Sequence, residues 1–236
     1  MTNSTKISRL LICLFITVAA TAQTKVDASK IMNDIKNGND VVYKNTTIVG
    51  TLDFTFMEEK LDKLPRRKKS SWWNSGNKSN KIKKLIKNNV SFVNCVFEDN
   101  VLAYIHDENS GYTFTADFDG DAIFKHCTFN KMAMFKYSHF NEKTDFERSK
   151  FNNSSTFKYA EFSNNVSFAN AIFKESATFK YSKFHNGISF NNAKFEEDLN
   201  LKYTKVSGKF DIKGMFVAFD IDSKYTKING EKFRYH

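Results

Sequence analysis

Residues 157–184 read FKYAEFSNNVSFANAIFKESATFKYSKF, and the spacing within this stretch decides the fold. Phe157, Phe162, Phe168, Phe173, Phe179 and Phe184 stand five and six residues apart in strict alternation. Upstream the same beat takes in Phe124, Phe129, Phe135, Phe140, Phe146 and Phe151. Downstream it takes in Phe190 and Phe195, and then Leu201, Val206 and Ile212. An α-helix has about 3.6 residues per turn, so a five-six alternation walks around it and leaves no apolar stripe. Self-similarity at a fixed period marks a repeat architecture and outranks local propensity. Two residues before each Phe of the five-step stands a small residue: Cys127, Ser138, Ser149, Ala160, Ala171, Ser182 or Ala193. A spacing of two puts both side chains on one face of a short strand, so each unit buries one small and one large residue.

A longer period lies above the first. Phe-Lys-Tyr followed by a small residue begins at 135, 157 and 179, and Leu201-Lys202-Tyr203-Thr204 repeats it 22 residues on. The intervening units lack the Lys-Tyr pair. A 22-residue period implies that four short faces complete one coil. Equivalent positions then stack at about the 4.8 Å strand spacing. Phe rings pile up inside, where dispersion and area burial offset the ordering entropy.

The pattern resembles the pentapeptide-repeat family, whose units read small-polar-(Leu or Phe)-polar-polar. Ala160-Glu161-Phe162-Ser163-Asn164 and Ala171-Ile172-Phe173-Lys174-Glu175 show the form. The extra residue in every second unit, with Phe almost throughout, looks like an 11-residue subtype. The resemblance covers about 114–214, and earlier fragments fit as well: Tyr43, Ile48 and Phe54, then Phe92 and Phe97 with Cys95 at the small position. It implies an all-β chain wound into a right-handed quadrilateral β-helix, with a short N-terminal capping helix and inserted loops. The expected organisation is a signal peptide at 1–22, a capping helix within 23–40 and the β-helix over 41–215. A basic insertion at 55–91 and a hairpin at 101–114 interrupt it, and the tail at 216–236 caps the last coil. For the helix, Asp27 is the candidate cap, Ile31, Met32 and Ile35 form the apolar stripe, and Gly38 stops it.

The leader is read from Lys6 and Arg9, the apolar run at 10–20, and Ala20-Thr21-Ala22 before Gln23. The run is about half the length a membrane-spanning helix needs, so cleavage and export are expected, to the periplasm, the cell envelope or the medium. Of 236 residues, 25 are Phe, nine are Gly and one is Pro. So many aromatics argue against disorder, and so little Gly and Pro excludes collagen. Three Cys exclude a disulfide scaffold. The net charge of +10 belongs to one segment: residues 60–87 hold eleven basic residues and one acid, Asp62. The rest of the chain, with the leader's two basic residues removed, sums to −2.

No catalytic constellation emerges. The five His share no metal-ligand spacing, and no Ser lies in a nucleophile elbow. His106 with Asp107 and Glu108 is the densest polar cluster, equally explained as a hairpin tip. Neither a metal nor a cofactor is expected. Cys95 and Cys127 fall on adjacent coils at the small inward position, where they are a disulfide or a pair of reduced core fillers. The ladder of Lys136, Lys158, Lys180 and Lys202 beside Tyr137, Tyr159, Tyr181 and Tyr203 is a strip for an anionic polymer or a stack that ties coils together. Arg66, Arg67, Lys68 and Lys69 with Trp72 and Trp73 form the sharpest binding lead; the alternative is a solvated loop whose Trp pair packs on the wall.

The expected function is a non-enzymatic, extracytoplasmic structural or protein-interaction module. The alternative is a binder of an anionic envelope polymer or a membrane surface through 60–87. Members of the family that mimic DNA and bind topoisomerases need a strongly negative wall, which this chain lacks. No specific nucleic-acid partner is expected.

Overall fold

In the computed structural model, which describes residues 24–64 and 80–235, four sheets form the four faces of a solenoid and contain 8, 9, 7 and 7 strands. In the regular part each strand is only two residues long, as in Glu161–Phe162, Val166–Ser167, Ile172–Phe173 and Ala177–Thr178. The pairing is parallel and advances by one 22-residue coil: Phe129 pairs with Phe151, Phe151 with Phe173, and Phe173 with Phe195. Backbone groups left over by such short strands bond to the neighbouring coil, for example Phe157 N to Thr178 O at 2.8 Å and Lys183 N to Ala160 O at 2.9 Å. The core satisfies the five-six arithmetic. Phe140, Phe146, Phe151, Phe157, Phe162, Phe168, Phe173 and Phe179 are all buried, and stacked rings on one face lie 4.5–4.7 Å apart.

Two columns of corners turn through positive φ. One holds Asn45, Asn94, His126, Arg148, Asn170, Asn192 and Gly214, mostly the residue types that tolerate the left-handed region. The other holds Phe56, Tyr137, Tyr159, Tyr181, Tyr203 and Tyr225. At small inward positions of the later coils a hydroxyl reaches a carbonyl one coil back: Ser182 Oγ to Phe157 O at 2.6 Å, Thr204 Oγ1 to Phe179 O at 2.8 Å and Thr226 Oγ1 to Leu201 O at 2.6 Å. Small polar residues are thus buried without an unmet hydroxyl there.

The N-terminal end is closed by the helix Ala28–Lys36. Asp27 accepts from Ser29 N at 2.7 Å, and Ala28, Ile31 and Ile35 face the core. The strand Thr24–Asp27 precedes it and pairs with Thr46–Val49, so the segment is strand and helix, not helix alone.

Three boundaries differ from the sequence reading. The insertion expected at 55–91 contains the short helix Glu58–Leu61, but Lys81–Ile86 and Val90–Val93 are ladder strands, pairing with 113–118 and 122–125. Lysines dense enough to suggest a loop alternate with Ile82 and Ile86, which is a strand pattern. The hairpin is narrower than 101–114, because Val101–Leu102 sits in the ladder between Leu52–Asp53 and Ala133–Met134. Its arms are Tyr104–Asp107 and the first half of Tyr112–Phe118. The tail from 216 continues the coils before it ends: Phe216–Val217, Ile221–Asp222 and Lys227–Ile228 extend three ladders, and Glu231–Lys232 turns back antiparallel. With Val217, Ile221 and Ile228 only half-buried, this end of the core is more open than the other.

Candidate binding surface

The tyrosine corner is the most ordered outward feature. Tyr137, Tyr159, Tyr181, Tyr203 and Tyr225 stack with centroids 4.7–4.8 Å apart and ring planes within 16°. A bulky residue in the left-handed region costs on the order of 1 kcal/mol, and aromatic pairs return about 0.5–1.5 kcal/mol each. Stacking therefore accounts for an aromatic column where the other corner column takes mostly Asn. Lys136, Lys158, Lys180, Lys202 and Lys224 each hold their Nζ 5.1–5.8 Å from the centroid of the adjoining Tyr ring. Burial, then the neighbouring Lys136 and Lys180, lowers the Lys158 pKa below the usual ammonium range.

The strand Lys81–Ile86 brings further cations to the head of this column. Lys81 Nζ lies 3.8 Å from the Tyr137 centroid, and Tyr104 from the hairpin packs at 5.9 Å on the same ring. Beside them runs a charged relay. Lys83 Nζ meets Asp117 Oδ2 at 2.5 Å, and His139 donates its backbone N–H to Asp117 Oδ1 at 3.0 Å. His139 Nε2 lies 3.8 Å from Glu161 Oε1, which Lys183 Nζ meets at 2.6 Å. Burial pushes the Asp117 carboxyl up, but the hydrogen bonds from His139 and Lys83 outweigh it, and the net direction is down. Lys81, Lys83, Tyr137, His139, Tyr159, Glu161, Tyr181 and Lys183 together line a groove of about 270 Å³.

The tyrosine and lysine ladder thus stands on one corner as a single stripe, reaching one coil past Lys202 and Tyr203 to Lys224 and Tyr225. The signal for that extra coil was the same 22-residue step. Lys81 and Lys83, read as part of a loop, belong to the stripe instead. The sequence reading missed the second lysine column, Lys183, Lys205 and Lys227, although it too is spaced by 22. Arg66, Arg67, Lys68, Lys69, Trp72 and Trp73 lie outside the described residues, as does the leader. Cys95 and Cys127 occupy neighbouring coils, linked by Thr128 N to Cys95 O at 2.8 Å, and both are buried free thiols. Burial pushes the Cys127 thiol well up, and a hydrogen bond from the Cys127 side chain draws Cys95 down to about 7. Around His106, turn chemistry accounts for the cluster. Asp107 accepts from Asn109 N and Ser110 N, and His106 Nδ1 lies 3.0 Å from Thr113 Oγ1. Among the described residues no three His, Cys, Asp or Glu side chains are grouped as a metal site requires.

No curated protein and no solved structure matches this chain. Residues 135–182 and 157–205, which carry four of the five lysine and tyrosine pairs of the corner, match the family model described as pentapeptide repeats (9 copies), and the chain is a pentapeptide-repeat protein.

Proposed function

We propose that this protein is a non-enzymatic interaction scaffold that works outside the cytoplasm. The observation that carries the reading is the tyrosine corner: one side-chain pair recurs on five coils at a fixed pitch of 4.7–4.8 Å. Inward positions are committed to Phe stacking, so the solenoid offers a partner rows of outward groups on a backbone that does not adjust. Export rests on the leader at 1–22. The test is N-terminal sequencing of the protein from the envelope fraction. A start near Gln23 supports export, and a full-length chain in the cytosol beginning at Met1 removes it.

A second reading places an anionic polymer or a membrane surface on the basic segment 60–87. The positions of Lys81 and Lys83 favour it, because they join that segment to the lysine-lined corner. A heparin column separates the two readings. The variant with Arg66, Arg67, Lys68 and Lys69 all changed to Ser elutes at much lower salt than the parent if the segment binds, and with the parent if it does not. The substitutions avoid 81–86, whose deletion would remove a ladder strand.

A further inference from the structure

The −2 total outside 1–22 and 60–87 hides an uneven distribution of charge. From the coil of Tyr181 onward, lysines flank the tyrosine stack on both sides: Lys180, Lys202 and Lys224 on one, Lys183, Lys205 and Lys227 on the other. Lys183, Lys205 and Lys227 are direct ladder neighbours, and Lys227 pairs in turn with Lys232. Like charges directly opposite on a sheet are destabilising. Among the described residues, only Lys183 (to Glu161, 2.6 Å) and Lys202 (to Asp222, 3.9 Å) of these six have a carboxylate within ion-pair distance. Elsewhere on the solenoid some lysines are neutralised: Lys125 by Asp145 and Glu147, Lys194 by Glu196, Lys209 by Asp211. Others, such as Lys143, Lys150, Lys174 and Lys213, have no such partner among the described residues but also no lysine 22 residues before or after them, so it is along this one corner that lysines stack on successive coils.

We propose that this double lysine row, with the tyrosine hydroxyl edge between its sides, binds a linear acidic polysaccharide laid along the solenoid axis; the proposal rests on the scaffold reading above. The charge requires an anion, and the repetition requires a polymer, since each coil offers the same two cations about 4.8 Å beyond the last. That pitch is close to one sugar ring of an extended chain. Duplex phosphates rise about 3.4 Å per strand and wind away from a straight row. Single-stranded nucleic acid binds by stacking its bases on open aromatic faces. Here the faces of Tyr159, Tyr181 and Tyr203 are closed by their neighbours at 4.7–4.8 Å, leaving ring edges and hydroxyls for sugar hydroxyls. A membrane would require apolar anchors beside the lysines. The exposed Phe216 begins a strand of a different face, paired with Lys194–Phe195, and the exposed Phe219 stands in the bend after that strand.

The test uses the chain from Gln23 and four probes: heparin, polygalacturonate, a single-stranded DNA oligomer and phosphatidylglycerol vesicles. The strip variant changes Lys180, Lys183, Lys202, Lys205, Lys224 and Lys227 to Gln. A charge-matched control changes Lys143, Lys150, Lys174, Lys194, Lys209 and Lys213 to Gln, and a third variant changes Arg66, Arg67, Lys68 and Lys69 to Ser. The parent should bind both acidic glycans more tightly than DNA or vesicles. The strip variant should lose about tenfold or more of that affinity, with a shallower salt dependence, while the other two stay within about threefold of the parent. Its melting temperature should hold or rise, because the like-charged neighbours are gone. Equal losses from the strip variant and the control would reduce the effect to net charge and overturn the proposal. So would an unchanged strip variant, parent binding to DNA or vesicles as tight as to glycans, or no glycan binding by the parent. None of these outcomes touches the scaffold and export reading, which envelope sequencing tests separately.

Discussion

Replacing Phe157 by Ala removes a ring packed on every side in the core. Phe157 is fully buried, stacked between Phe135 at 5.3 Å and Phe179 at 4.9 Å, and edge-on to Phe146 at 5.4 Å and Phe168 at 5.1 Å. A Phe→Ala change in a core costs about 3–5 kcal/mol, depending on how far the surroundings relax into the void. Relaxation is blocked here from both sides along the axis. The coil is held on one side by Phe135 N to Thr156 O at 2.8 Å and on the other by Phe157 N to Thr178 O at 2.8 Å and Ser182 Oγ to Phe157 O at 2.6 Å, so sinking one ring strains both neighbours. The loss should therefore fall in the upper half of that range. Phe157→Leu should cost less than about 2 kcal/mol, because Leu201 already fills the equivalent position two coils on. Phe216→Ala, at a side chain 53% exposed, should cost under about 1 kcal/mol. Urea unfolding followed by far-UV circular dichroism gives all three values if the slopes agree. If Phe157→Ala costs less than about 2 kcal/mol, or no more than Phe216→Ala, the coils are not a rigid stack and the packing argument is wrong.

Two further outcomes follow from the polar interior. Asp117→Ala should destabilise by about 1.5–3 kcal/mol at pH 7, the range for a buried hydrogen bond to a charged group. Because the folded Asp117 titrates below its ordinary value, its contribution is present above about pH 4 and is lost as pH falls through the folded pKa. The gap between parent and variant in urea midpoints should accordingly shrink from pH 7 to pH 3, and a constant gap would sever the carboxylate from the effect. For Cys95 and Cys127, thiol titration of the denatured, unreduced chain from Gln23 should return two thiols, whereas zero would mean a bridge. In the native protein both should react slowly with alkylating agents, since each is about 1% exposed.

How far the fold was legible depends on which signal each segment carried. The Phe beat at 124–195 fixes face length, coil period and the inward set together, because each face of five or six residues has room inside for one Phe and one smaller side chain. Where the beat is interrupted, local composition misled. Lys81, Lys83 and Lys84 made 81–86 look like loop, yet Ile82 and Ile86 hold the strand against 113–118. The tail looked like a cap because its beat positions carry Val217, Ser223 and Ile228 instead of Phe, although the 22-residue register persists through Lys227. The Lys-Tyr ladder could be read one residue at a time from the repeat. Its environment could not: the relay from Lys83 through Asp117 and His139 to Glu161 joins residues 22 or more apart in the chain, and only the coil register brings them together.

Charge shows the same dependence on register. The chain total of +10 points to a basic protein, and the residues outside 60–87 sum to nearly nothing. Both sums ignore direction. In a solenoid with a 22-residue coil, residues 22 apart share a face, and residues 11 apart lie on opposite sides. Lys183, Lys205 and Lys227 therefore add to one field, whereas Lys194 and its partner Glu196 cancel within another. A row of cations at strand pitch, most of them without a carboxylate partner, is screened only beyond about 8–10 Å at ordinary salt, so several lysines act on one polymer segment at once. Redistributing the same lysines around the rod would leave the net charge unchanged and remove that field. For a repeat protein, the charge that matters to a partner is the charge per column, counted at the coil period.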